Sequence, residues 1–229
     1  MASKVKILFI AVILSLFSLP SFADKYNLGL DYALYTPKNF GEFRKVANVQ
    51  NYSEITTGYR NSCGPMTMLF IHNYYTYKKQ GRPDDLSKSV ASVKAAIERQ
   101  YNKTMGLRNN VYTDFDNLKA LGRSWGWSSV RKSNKSGFDG SPNLYEFIKR
   151  KLTENKFVVV NLEKNSILTK DLFRNVQHFI TITAVIEHRN GTINIVYFDP
   201  WDGKLKTTTY DNLRKSWIGT HNVLTINGN

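Results

Sequence analysis

One thiol, four imidazoles and a carboxylate set among aromatic residues are the side chains here best equipped for covalent chemistry. Cys63 is the single cysteine in 229 residues, so no internal disulfide can form. It lies in Asn61-Ser62-Cys63-Gly64-Pro65-Met66, where an apolar pattern at helical spacing begins with Met66, Leu69, Phe70, Tyr74 and Tyr77 and stops at Gly81 and Pro83. Pro65 suits an early helical position because its missing N–H is not needed there. A thiol at a helix entrance meets unpaired N–H groups and the positive end of the dipole. These predict a thiol more acidic than the roughly 8.5 of free cysteine. The competing reading is a buried, inert residue, since cysteine packs well as a small hydrophobe.

A thiol nucleophile needs a base, and the base needs an orienting group. Of the four histidines, His72 lies within the first helix, His188 abuts a turn and His221 precedes the last strand. His178 differs because it opens an alternating segment whose parity set is Ile180, Ile182, Ala184 and Ile186, which turns the imidazole to a buried face. In the next segment Ile193, Ile195 and Tyr197 share a parity with Asp199, a carboxylate where an apolar residue is expected. With a two-residue Asn190-Gly191 turn, Asp199 pairs with Ile182 and lies on the His178 face. That register leaves four residues, about 13 Å, between Ile182 and His178. A bulge, bend or strong twist has to shorten the gap. Taken alone, Asp199 also reads as a turn initiator before Pro200.

The elements that must position these residues follow from periodicity. Residues 24–60 read as an extended lead-in with short strands. After the Cys63 helix, Leu86, Val90, Val93, Ile97 and Tyr101 mark a second helix. Phe115, Leu118 and Leu121 mark a third, ending near Gly122. Residues 131–140 read as an exposed loop and candidate flap. Ser141-Pro142 reads as the cap of a helix through Leu144, Phe147, Ile148 and Leu152. The β-branched run Phe157 to Val160 is a central strand. Strands at His178 to Glu187, Thr192 to Phe198, Lys204 to Thr209 and Asn222 to Ile226, with a short helix through Leu213 and Trp217, complete the chain. Helices first and an antiparallel sheet afterwards give an α+β domain over 57–229, preceded by the lead-in at 24–56.

Three motifs in this order resemble a family. Asn61 to Met66 opening a helix, Gln177-His178-Phe179-Ile180 opening a strand, and Tyr197-Phe198-Asp199-Pro200-Trp201-Asp202-Gly203 are similar to the papain-like cysteine peptidases related to bacteriocin leader-processing (double-glycine) peptidases. The helix running into Val158-Val159-Val160 and the late helix ending in Trp217 resemble the same family. The resemblance implies a papain-like fold, with an N-terminal helical part carrying the cysteine packed on a sheet carrying the histidine and aspartate. By it, Cys63 would be the nucleophile, His178 the general base and then acid, and Asp199 the group that orients the imidazole. Acyl transfer would pass through a thioester. One element departs. The family's oxyanion glutamine has no counterpart, since Thr57 and Gly58 stand at its positions. Asn61 and Thr57 are the nearby contributors, together with the Cys63 backbone N–H.

The remaining composition sets the surroundings. Lys4 and Lys6, the apolar run Ile7 to Leu19, and Ser21-Phe22-Ala23 read as a signal peptide over residues 1–23, cleaved after Ala23. The run is shorter than the ~20 residues that span a bilayer, so a stable membrane anchor is not expected. The chain carries 32 Lys and Arg against 18 Asp and Glu, net +14. For a secreted or periplasmic protein that charge points to anionic envelope polymers as partners rather than nucleic acid. The histidines show no close ligand spacing, so neither a metal nor another cofactor is expected. The substrate expected is a peptide or a cell-envelope component. Two competing readings are an acyl transferase of the transglutaminase or cell-wall amidase kind, and a catalytically impaired binding protein that keeps the cleft and its charge. Trp125-Gly126-Trp127 could line such a cleft, or place one tryptophan buried and the other half-exposed.

Overall fold

The computed structural model describes residues 32–59, 61–102, 113–127, 129–133, 143–170, 172, 177–217 and 223–227. Within them the chain is α+β. Its strands are β1 (Tyr32–Tyr35), β2 (Ser129–Ser133), β3 (Phe157–Leu162), β4 (His178–His188), β5 (Ile193–Asp199), β6 (Lys204–Thr209) and β7 (Val223–Asn227). They form one seven-stranded sheet in the order β2-β7-β3-β4-β5-β6, with β1 beside β4. All pairings are antiparallel. The 11-residue β4 is long enough to hold β3 along His178 to Ile182 and β1 along Val185 to His188 on one side.

Helices cover both faces, which explains why β3 reads as a continuous Phe-Val-Val-Val run rather than as an alternation. One face packs on helix α3 (Cys63–Gln80), with Met66, Phe70 and Tyr74 against Phe157, Val159, Phe179, Phe198, Leu224 and Ile226. The other packs on α6 (Leu144–Thr153) and α7 (Tyr210–Ser216), where Phe147, Ile148, Leu152 and Leu213 meet Val158, Val160, Ile180, Ile182 and Ile195. Each fully buried Leu, Ile or Phe contributes roughly 1.5–3 kcal/mol of burial free energy. The Phe70 and Phe198 rings stack with centroids 4.1 Å apart and planes within 6°, fixing α3 to the strand that ends in Asp199. Helix α3 stops at Gly81, whose φ of 70° allows the left-handed cap and whose N–H donates to Tyr77 O at 2.8 Å.

The segment expected as an extended lead-in is largely helical after β1. It holds α1 (Phe40–Val46), a 3₁₀ turn at Val49–Tyr52 and the single turn α2 (Glu54–Thr57). Its Phe40, Phe43 and Tyr52 are buried in the α3 core, and these aromatics lack the regular spacing that marks an amphipathic helix. The second expected helix is broken into a 3₁₀ turn at Asp85–Ser87, helix α4 (Val90–Ala96) and a π turn at Ile97–Asn102, because Ser89 caps a new start by accepting from Ser92 N–H. Helix α5 (Phe115–Ser124) begins at the Asp114 cap.

Two expectations are corrected outright. Residues 131–133 are not loop but belong to β2, paired with β7, while 134–140 lie outside the described residues. The cap of α6 is Asn143, which accepts from Glu146 N–H at 2.9 Å; Ser141 and Pro142 lie outside the described residues. The expected signal peptide, residues 1–23, also lies outside them. No helix among the described residues is long and apolar enough to cross a membrane.

Candidate active site

The β4–β5 hairpin differs from the two-residue expectation, and the difference sets the site. Its loop has three residues, Arg189 to Gly191. His188 N–H donates to Thr192 O at 2.9 Å, and Gly191 takes φ 83° in the left-handed position that this loop length favours. Pairs along the outer part of the hairpin, such as Val185 with Ile195, are therefore offset by one residue from expectation. A bulge between Ile182 and Ala184 offsets the inner part by one more, so that Thr181 faces Phe198 and Ile182 faces Tyr197. Continuing that register places Asp199 opposite Ile180. The gap to His178 falls from four residues to two, about 7 Å along the strand, the spacing of a diagonal cross-strand pair. The bulge also ends the expected parity set at Ile182. Beyond it Val185 faces α6, while Ala184 and Ile186 turn to the opposite side.

On that register the His178 and Asp199 side chains meet. His178 Nε2 lies 2.6 Å from Asp199 Oδ1, with each residue only 2% exposed. The same Asp199 oxygen accepts Trp201 N–H at 2.9 Å, so the Asp199-Pro200 turn and the imidazole support are one structure. The other oxygen, Oδ2, accepts from Lys206 Nζ at 2.6 Å, and Lys206 also reaches Asp202 Oδ2 at 3.3 Å. Burial works against an ionised Asp199. His178 and Lys206 overcome it and hold the carboxyl well below the usual carboxylate range.

Cys63 is 8% exposed at the first position of α3, near enough to the buried His178 ring to act on its charge. With Nε2 committed to Asp199, the nitrogen left for the thiol is Nδ1. Burial of the imidazole disfavours its charge, but Asp199 and then Cys63 outweigh that cost and raise the His178 pKa to about 10. Gly64 lets this corner close. A Cβ there would lie 2.3 Å from Thr113 Cγ2 and 3.5 Å from Phe179 Cδ2, the ring next to His178.

The start of α3 has an unexpected partner. Ser62 occupies the N-cap position, but its hydroxyl donates to Tyr59 O at 2.9 Å and does not cap the helix. The carboxylate of Glu54 turns to this corner instead, accepting Asn61 N–H at 3.2 Å and lying near enough to the Ser62 and Cys63 N–H groups for them to favour its charge. Asn61 takes φ 59°, and this left-handed step before the helix turns successive N–H groups toward one point, an anion-binding nest. Burial raises the Glu54 pKa, opposed by the charge of His178 and by these N–H groups. Glu54 is itself fixed, since its N–H donates to Pro200 O at 2.8 Å and Ile55 N–H to Trp201 O at 3.2 Å. Glu54 and Lys206 escape sequence reasoning because each is an ordinary charged residue in a polar stretch. The one signal for Lys206 is its β6 parity opposite Tyr197.

The nearby contributors expected from sequence fall as follows. Thr57 is buried, but its hydroxyl donates to Ser53 O at 2.7 Å and also accepts from Tyr59 N–H. Asn61 is half-buried and offers its backbone N–H to Glu54. His72 packs between Trp125 and Trp127, with ring centroids at 4.8 and 6.0 Å, and burial lowers its pKa. Trp127 is buried and Trp125 half-buried, one of the two arrangements open to that pair, and Trp125 is the C-cap of α5. His188 Nε2 lies 2.9 Å from Asn194 Nδ2, and His221 is outside the described residues. No group of three or more His, Cys, Asp or Glu that could hold a metal ion occurs among the described residues.

A buried carboxylate, an imidazole and a thiol in series can move one proton from sulfur to nitrogen while the carboxylate steadies the resulting imidazolium. No protein-family model matches the chain, and no curated protein sequence matches it.

Proposed function

We propose that the protein is an exported papain-like thiol hydrolase that cleaves peptide or related amide bonds through Cys63, His178 and Asp199. The observation that carries this reading is the buried His178 with Asp199 at 2.6 Å on Nε2 and Cys63 near enough to raise its pKa. A raised His178 pKa favours the imidazolium, the state that holds a neighbouring thiolate by charge. The thiolate would attack the carbonyl carbon, and the imidazolium would protonate the leaving amine. His178 would then take a proton from water as it hydrolyses the thioester. Net charge +14 and the N-terminal run at residues 7–19 support export and a peptide or anionic cell-envelope substrate.

The test is turnover of a mixed peptide set and of cell-wall fragments by wild-type protein, Cys63→Ala, and protein treated with iodoacetamide. Loss of hydrolysis in both altered forms supports the reading. Undiminished turnover by Cys63→Ala overturns it.

One observation favours a second reading, a papain-like binding protein without turnover. The Thr57 hydroxyl is committed to Ser53 O and the Asn61 N–H to Glu54, so among the described residues neither of these two donors stands open for a tetrahedral oxyanion. Binding of a peptide or envelope fragment at equal affinity by wild type and Cys63→Ala, with hydrolysis by neither, is the outcome expected of it.

A further inference from the structure

The start of α3 is built as an anion site and is already filled from within the chain. Asn61 at φ 59° and the first residues of α3 aim their N–H groups at one place, and the Glu54 carboxylate sits there with Asn61 N–H at 3.2 Å. The Cys63 N–H lies near enough to that carboxylate to favour its charge. In thiol acyl transfer the nucleophile's own backbone N–H is among the groups suited to the developing oxyanion, since it lies next to the attacked carbon. A carboxylate seated beside that N–H therefore competes with the oxyanion for the donors there and adds like charge beside it. Glu54 does not stray there by side-chain freedom alone, because its backbone is pinned to the turn that follows Asp199 through Pro200 O at 2.8 Å.

We propose that Glu54 is a positioning residue whose carboxylate occupies the anion position beside Cys63, so that a negatively charged group can bind there only after Glu54 gives way. The proposal rests on reading Cys63 as the nucleophile. It makes the donors at residues 61–63 the oxyanion site, in place of the absent glutamine. In the resting protein Glu54 orders these donors and the start of α3. During attack it withdraws as the oxyanion arrives.

Alkylation of Cys63 tests this without requiring turnover. Rate constants for neutral iodoacetamide and anionic iodoacetate are measured at pH 8 on the full protein, with folding checked by circular dichroism. The quantity read is the iodoacetate-to-iodoacetamide ratio. Glu54→Gln removes the charge and keeps the size, and raises the ratio about tenfold, the scale of a unit charge a few ångströms from a partly solvated group. Glu54→Asp keeps the charge but draws it back by one methylene, and raises the ratio by less. It carries the test if Glu54→Gln does not fold. Ratios within twofold of wild type in the folded variants overturn the proposal, because a carboxylate that only tied the loop together would not discriminate between the reagents. If Cys63→Ala still hydrolyses substrate, the functional reading fails while the alkylation ratio still reports on Glu54.

Discussion

Lys206 Nζ lies 2.6 Å from Asp199 Oδ2, the carboxylate oxygen that His178 leaves open. Asp199 is thus held between two cations, one buried in the sheet and one a third exposed at its edge. The two differ in what they support. His178 is within reach of the thiol, whereas Lys206 fixes the carboxylate and secures it in the ionised form.

Lys206→Met tests that division. Lys206 helps to depress the Asp199 pKa, so the stability Asp199 supplies is present above its unfolded value near 3.8 and is lost as pH falls through the lower folded value. Removing Lys206 raises that folded value. Acid unfolding followed by circular dichroism should then begin at higher pH than in wild type. At pH 7 the loss of stability should stay below about 1 kcal/mol, since Lys206 is partly exposed.

Asp199→Asn keeps the shape and removes the charge that steadies the imidazolium. The proposed hydrolysis should fall on the order of 10⁴-fold, the scale typical of losing the orienting carboxylate. The stability effect has its own pH signature. The His178 pKa rises from 6.5 to about 10, so its contribution is complete below 6.5 and fades as pH climbs through about 10. The gap in melting temperature between wild type and Asp199→Asn should be widest near pH 5–6 and narrow toward pH 10. A gap that grows with pH would contradict the pairing.

Glycine replacements separate two kinds of crowding. At Gly64 the nearest obstacle to a Cβ is the tip of the Thr113 side chain at 2.3 Å, which can rotate. At Gly203 a Cβ meets Gln50 Cα at 2.7 Å and Gln50 O at 2.9 Å, which are backbone, and φ is 67°. Gly64→Ala should cost about 1–3 kcal/mol, the range of a tolerated overpacking. Gly203→Ala adds backbone strain of about 1–3 kcal/mol to a clash that cannot relax by side-chain motion. Chemical denaturation should rank Gly203→Ala as the more damaging.

Removal of residues 24–56 should abolish folding rather than release activity. That stretch supplies β1, the buried rings of Phe40, Phe43 and Tyr52, and the Thr36 hydroxyl that donates to Thr183 O within the bulge at 2.8 Å. Loss of the three rings, at about 3–5 kcal/mol each, is as large as the whole stability of a typical domain, about 5–15 kcal/mol. A soluble, cooperatively melting truncate would refute this.

Much of the site was legible because its signals are local. Pro65 and the spacing from Met66 to Tyr77 mark a helix that starts at Cys63, and the alternation on either side of Asn190-Gly191 marks a hairpin with His178 and Asp199 on one face. The α+β order followed from the same patterns. What stayed hidden depends on distant partners. The bulge at Thr183 is secured by Thr36 and by the Thr183 hydroxyl on Val196 O at 3.2 Å, and no single stretch of sequence contains those contacts. Arg131 to Ser133 reads as polar loop because only the pairing of β2 with β7 makes it a strand. Glu54 gives no sign of its place, since a carboxylate between Ser53 and Ile55 is commonplace until the fold brings residues 61–63 against it.

The hairpin's two offsets have a consequence for what length changes the chain can survive. The third loop residue and the bulge each advance the pairing by one, and side-chain direction repeats every two residues, so together they restore the face while moving Asp199 inward. Either offset alone would leave Asp199 pointing into the α3 core, away from His178. A one-residue deletion at the exposed tip, among Arg189 to Gly191, would therefore disable the site as surely as replacing Asp199, without altering a residue in it. Indels in this hairpin are tolerable only as matched pairs, and the tip behaves as a reading frame written in side-chain direction.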